Sequence, residues 1–357
     1  MLFMIPPLRR GDWTCRIWQA GIIEAMLSNK FQMMYDMLRR ILTSASIRLP
    51  DDFDRDGPED GRKCMRIDCV LEPCSIVGEG PFWDVGQQCL WWVDIPAGKV
   101  HRFDPAHGEN RSRDFGEVAG CLAATADGKL VVAGRNGIFR FDFETGEKTL
   151  IVDPEPDLPK NRFNDGATDC KGRFWAGTMR EGGGPVPEGT IYRLDPDGTC
   201  TAWFSEIFTP NGLAFSADGK RMYFSDSNPA VRTIWVCDYD SETGTPSNRR
   251  VFFDTRAVEG RPDGGTVDAE GCYWMAGVGG WQLVRYTPDG TIDRIIDMPA
   301  ERPTKIMFGG PDLDTLYVTS FGIEKTPGTE DRQPCAGGLF AITGLGVRGV
   351  AQTPFAG

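Results

Sequence analysis

Glu79, Asn164, Asn211 and Asp263 are four oxygen-bearing side chains that recur at one phase of a repeated pattern. They stand in Gly-Glu-Gly-Pro-Phe-Trp, Arg-Phe-Asn-Asp-Gly, Pro-Asn-Gly-Leu and Arg-Pro-Asp-Gly, each seven or eight residues ahead of a turn glycine: Gly86, Gly172, Gly219 or Gly271. Any one of these segments alone is an ordinary turn former. Turns facing solvent have no reason to place Glu, Asn, Asn and Asp at equivalent positions. In a closed repeat fold equivalent positions converge on one axis, and the four then form an oxygen-only site for a hard divalent cation. Calcium, magnesium and manganese suit such donors, while zinc ordinarily takes nitrogen or sulfur as well. Arg162, two residues before Asn164, falls on the same strand face. A cation beside a metal is repelled, so Arg162 is expected to reach toward an oxygen-rich ligand.

The elements that must position these residues are short strands. In the middle copy, residues 212–216, 221–225, 233–237 and 250–254 read as four strands, with Asp218-Gly219 in a hairpin turn. The same grammar recurs around glycines 86, 128, 172, 219 and 271 and around Asp314-Thr315. Most second strands carry an aromatic residue, such as Trp91-Trp92, Phe174-Trp175 and Tyr273-Trp274. Six copies of about 45 residues predict an all-β, six-bladed β-propeller. The last copy lacks room for a fourth strand, and residues 67–71 are expected to supply it and close the ring, removing exposed edges. In the second copy Gly120 takes the site position and is read as leaving space for a pocket.

The chain has 357 residues, a formal net charge of −12, 11 cysteines and two histidines. That charge argues against nucleic acid and anionic membrane surfaces as partners. No stretch has the roughly 18–20 apolar residues that a membrane span needs. The cysteines form no Cys-x-x-Cys pair and read as buried thiols of a cytoplasmic protein. His101 and His107 are expected beside a turn, which leaves histidine-dependent triads and zinc clusters little to work with. Residues 22–47 have helical periodicity and give way to an acidic, turn-rich run, 51–63. Residues 1–64 are therefore expected to be a helical or disordered extension with an acidic linker. Residues 65–357 are expected to form the propeller, with Met65 a natural alternative start.

At its site segments the chain resembles the gluconolactonase family that includes regucalcin, the senescence marker protein. The resemblance covers about residues 69–357. Besides the four segments above it rests on Trp175-Ala-Gly-Thr-Met and on the ending Gly338-Leu-Phe-Ala-Ile-Thr-Gly-Leu-Gly-Val-Arg-Gly-Val-Ala. It implies one divalent metal (Ca, Zn, Mg or Mn) on the central axis of a six-bladed propeller, held by Glu79, Asn211 and Asp263. It also implies substrate contacts from Arg162 and Asn164, with Glu181 in the acidic position that meets substrate hydroxyls. The expected activity is metal-dependent hydrolysis of sugar lactones, with Asp263 as general base and a small-molecule lactone as partner. A monomer or small homo-oligomer is expected. Two other readings stand beside it. One is a calcium-binding regulatory propeller without turnover. The other is an esterase or diesterase of related propeller type, which would want histidines at the channel mouth.

Overall fold

The computed structural model describes residues 64–323 and 325–357. The helical periodicity of residues 22–47 and the linker at 51–63 lie outside them, as does most of the 1–64 extension. Among the described residues 24 strands, β1 to β24, form six antiparallel sheets of four. Five sheets are runs of consecutive strands. The sixth has the order β1-β24-β23-β22, so β1 (Arg66–Leu71) joins β24 (Leu339–Thr343) at the end of the chain. Arg66 pairs with Thr343 and Leu71 with Leu339, which closes the ring as the sequence predicts. No helix among the described residues is long and apolar enough to cross a membrane.

The core lies between neighbouring blades, and the second strands supply much of it. Trp92, Trp175, Trp274, Tyr223 and Tyr273 are all buried. Burying an aromatic side chain is worth on the order of 2–3 kcal/mol, and here rings meet from successive blades: Tyr223 stacks on Tyr273 with centroids 4.9 Å apart. Ten described cysteines are free thiols, but only Cys89, Cys121, Cys237 and Cys272 are buried, while Cys64, Cys74 and Cys170 are exposed.

The six innermost strands are β2 (Gly78–Asp84), β6 (Ala119–Ala124), β10 (Asn161–Thr168), β14 (Pro210–Phe215), β18 (Arg261–Val267) and β22 (Pro303–Gly309). Each carries one extra residue relative to its partner near its start, as between Phe163 and Gly166 or Pro262 and Gly265. A β-bulge of this kind bends the strand and re-aims side chains. Six copies of one bulge set the site. Two buried acids fix the loops leading to it: Asp94 accepts from the Ile76 and Val77 amides (2.8 and 3.1 Å), and Asp226 from Phe208 and Thr209 (2.8 and 3.1 Å). The C-terminal segment runs past the hairpin turns at the other ends of these strands. Gly349 bridges Asp268, Phe355 bridges Thr125, and the Ala356 amide donates to Gly172 (3.0 Å).

Candidate metal and substrate site

All six sequence-predicted residues, five of them on the bulged inner strands, line one cavity of about 320 Å³: Glu79, Asn211, Asp263, Arg162, Asn164 and Glu181. Glu79, Asn211 and Asp263 are buried at its base (6%, 3% and 6% exposed). Asn211 is held in one amide orientation. Ser227 Oγ donates to the carbonyl of Pro262, which can only accept. The hydroxyl oxygen must therefore accept from its other partner, so the Asn211 atom 2.7 Å away is the Nδ2 amine. Asn211 Oδ1 is left facing the cavity, where it accepts from Asn164 Nδ2 at 3.0 Å.

Asn164 also donates to the Pro210 carbonyl (3.1 Å), and its own Oδ1 accepts from Arg162 Nη1 at 2.8 Å. Arg162 and Asn164 are thus one locked unit, with the Arg162 side chain 14% exposed. Glu181, at the end of the strand β11 (Phe174–Arg180), comes within 4.0 Å of Arg162 Nε and accepts from Arg135 Nη2 at 2.6 Å. The glycines that follow Glu181 do not carry it away from the site.

The two carboxylates at the base of the cavity are held in a strongly unfavourable setting for charge. Burial pushes the Glu79 carboxyl up to about 8, helped by Asp165 and opposed by Lys305. Burial also raises Asp263 well above the usual carboxylate range, with Glu79 and Asp165 adding to the effect. Among the described residues neither carboxylate has an ion-pair partner, and Glu79 Oε2 accepts only the Gly80 amide (2.8 Å). Two like charges buried together, with an amide oxygen turned toward them, are a donor set suited to a hard divalent ion.

Sequence reasoning missed three contributors. Asp165 and Lys305 form a buried ion pair one residue further along their strands, and Lys305 Nζ also donates to the Gly166 carbonyl (2.6 Å). The signal for Lys305 was a lone lysine in an otherwise uncharged inner strand, Pro303–Gly309. Ser227, the residue that orients Asn211, carried none. Gly120 differs from the expectation. It does not open space: a Cβ there would lie 2.3 Å from the Phe163 carbonyl oxygen, so its size lets the backbone of Asn164 approach. Of the histidines, His107 lies in the expected turn and His101 does not. His101 lies inside strand β4 (Lys99–Asp104), stacked 3.9 Å from Trp92, where burial lowers its pKa to about 4. His107 is exposed and paired with Asp104. Neither lines the cavity.

Residues 77–322 match the model of the SMP-30/Gluconolactonase/LRE-like region. The chain is 36% identical to regucalcin of Xenopus laevis, covering 82% of this chain and 99% of that protein. It is 37% identical to 6-deoxy-6-sulfogluconolactonase of Pseudomonas putida, with the same coverage of each. Among solved structures, the calcium-binding protein regucalcin from Agrobacterium tumefaciens superposes with a TM-score of 0.74 at 32% identity, over 79% of this chain and 94% of that one. The match spans every inner strand that reaches the cavity, and the chain belongs to the SMP-30/gluconolactonase/LRE-like family.

Proposed function

We propose that the protein is a divalent-metal-dependent hydrolase that opens five- or six-membered aldonolactones to aldonic acids. The observation that carries this reading is a single cavity with Glu79, Asn211 and Asp263 at its base and Arg162, Asn164 and Glu181 on its wall. An ion store has no use for that wall. The Pseudomonas putida relative, named for its action on a lactone, supports the same class of substrate.

Glu79, Asn211 and Asp263 would hold the ion, which when bound supplies Lewis-acid polarisation of a carbonyl and a more acidic water. Asp263 would take the proton of the attacking water. The hydroxide adds to the acyl carbon, the acyl–oxygen bond of the ring breaks, and the proton returns to the departing ring oxygen as the new hydroxyl. Arg162 and Asn164, already fixed against each other, would hold the ring oxygens in place without reordering. Glu181 would accept from sugar hydroxyls. We assign the activity to residues 65–357, so a chain begun at Met65 is expected to hydrolyse lactones as the full chain does. Its free thiols suit the reducing cytoplasm.

The test is hydrolysis of glucono-, galactono-, xylono- and arabinonolactone followed by pH indicator, with the uncatalysed rate subtracted. Protein stripped with chelator is reloaded singly with Ca²⁺, Mg²⁺, Mn²⁺ or Zn²⁺. Metal-restored turnover is the expected result. Tight calcium binding with no turnover by any pair would favour the regulatory reading.

A further inference from the structure

Two arginines line the cavity, and only one is committed to it. Arg162 spends its donors on Asn164, on the Phe163 carbonyl and on Glu181. Arg261, at the start of β18 and two residues before Asp263, has a single long hydrogen bond among the described residues, Nη1 to the Ser227 carbonyl at 3.3 Å. It has no ion-pair partner among them, although a guanidinium offers five N–H donors. Its place is fixed from behind: Arg232 donates to the carbonyls of Thr255 (2.8 Å), Val258 (3.1 Å) and Gly260, pinning the loop that delivers Arg261 to the cavity. A half-buried guanidinium carried on a pinned loop, with unused donors at a ligand cavity, is poised for an anion.

The charge of the cavity points the same way. Its lining holds three carboxylates (Glu79, Asp263 and Glu181) and two guanidiniums (Arg162 and Arg261). A divalent ion on the two inner carboxylates leaves this lining with one net positive charge. Arg135, paired with Glu181 just outside, adds another. A neutral sugar lactone leaves that charge unmatched.

Resting on the lactonase reading above, we infer that Arg261 is a specificity-determining residue and that the preferred substrates are lactones with an anionic substituent: a sulfonate, phosphate or carboxylate. The anionic group takes the free edge of the Arg261 guanidinium, while Arg162, Asn164 and Glu181 hold the neutral hydroxyls.

The experiment measures binding as well as turnover on the full, metal-loaded chain. Calorimetry compares gluconate with gluconates bearing a terminal phosphate or sulfonate, and kcat/KM is compared for the corresponding lactones. The terminal anion is expected to tighten binding about 10-fold or more, as a charge-assisted contact does. Arg261→Met should bring that ratio close to one, and Arg261→Lys should keep part of it. Because the ratio is taken within each protein, a general loss of affinity does not move it. If Arg261→Met does not fold, Arg261→Gln serves in its place. The phosphate and sulfonate arms separate a preference for two charges from a preference for one. A ratio near one in the unaltered protein, or a ratio that survives in a folded Arg261→Met, overturns the inference while leaving the lactonase reading intact. Tight, Arg261-dependent binding without turnover of any lactone overturns the lactonase reading alone.

Discussion

Asn211 and Ser227 are joined by a 2.7 Å hydrogen bond whose direction is forced, because the Ser227 hydroxyl has already given its proton to the Pro262 carbonyl. One hydroxyl beside the three proposed metal ligands thereby decides which atom Asn211 turns to the cavity. Ser227→Ala removes that decision, and the amide is free to flip its nitrogen inward. Supporting residues of this kind typically change metal affinity by about 10–100-fold. Calorimetric titration of metal into the stripped variant is expected to show a loss in this range with little change in thermal stability. Unaltered affinity would mean that the amide is oriented by Asn164 instead.

Lys305 and Asp165 define the charge beneath the site. Both are buried (2% and 1% exposed). Asp165 is further tied by the Leu213 amide at 2.9 Å. Lys305→Met leaves a carboxylate unpaired in the protein interior, which costs about 3–5 kcal/mol. Replacing both partners, Lys305→Met with Asp165→Leu, should restore much of that stability. Denaturant unfolding of the two single variants and the double variant measures the cycle. Single variants that unfold at the same denaturant concentration as the unaltered protein would contradict the buried-pair account.

How much of this was legible in the sequence follows from which forces act locally. Glu79, Asn164, Asn211 and Asp263 could be found because each precedes its own turn glycine by seven or eight residues, and a repeat fold converts shared phase into convergence. The closing strand could be inferred because the sixth blade ran out of chain. Gly120 was misread because its size serves the approach of the Phe163 carbonyl, a contact between two blades that spacing does not display. His101 was placed at a turn, but it sits in a strand, held by Trp92 and by Asn110 at 3.0 Å. Ser227 and Lys305 act on residues 16 and 140 positions away, and no local pattern reports such partners.

The raised Glu79 pKa makes the metal-free protein sensitive to pH. Its folded value, about 8, lies above the 4.5 of an unperturbed glutamate. The stability contributed by the protonated carboxyl is therefore fully present below about pH 4.5 and is withdrawn as pH rises to 8. Within that window a fully titrating group withdraws on the order of 1 kcal/mol per pH unit. Asp263, raised in the same direction, adds to the trend. Thermal melts of chelator-treated protein should fall between pH 5.5 and 8, whereas metal-loaded protein should hold, so the gap widens with pH. Proton release on metal addition, measured in two buffers of different ionisation enthalpy, is the companion observation. Parallel melting curves with and without metal would count against a carboxylate site at the base of the cavity.

Asp263→Asn separates chemistry from stability, because the two should move in opposite directions. The substitution keeps the shape of the side chain but removes the proposed base, and loss of general-base catalysis costs about 10²–10⁴-fold in rate. It also removes a buried carboxyl whose charged form is disfavoured in the metal-free protein by burial and by the neighbouring Glu79. The metal-free variant should consequently melt higher than the metal-free parent at pH 8, and the difference should shrink as the pH falls. A variant that is both inactive and less stable at pH 8 would place Asp263 among residues that hold the fold. Full activity in a folded variant would remove it from the proton-transfer role, leaving the water to be activated by another group lining the same cavity.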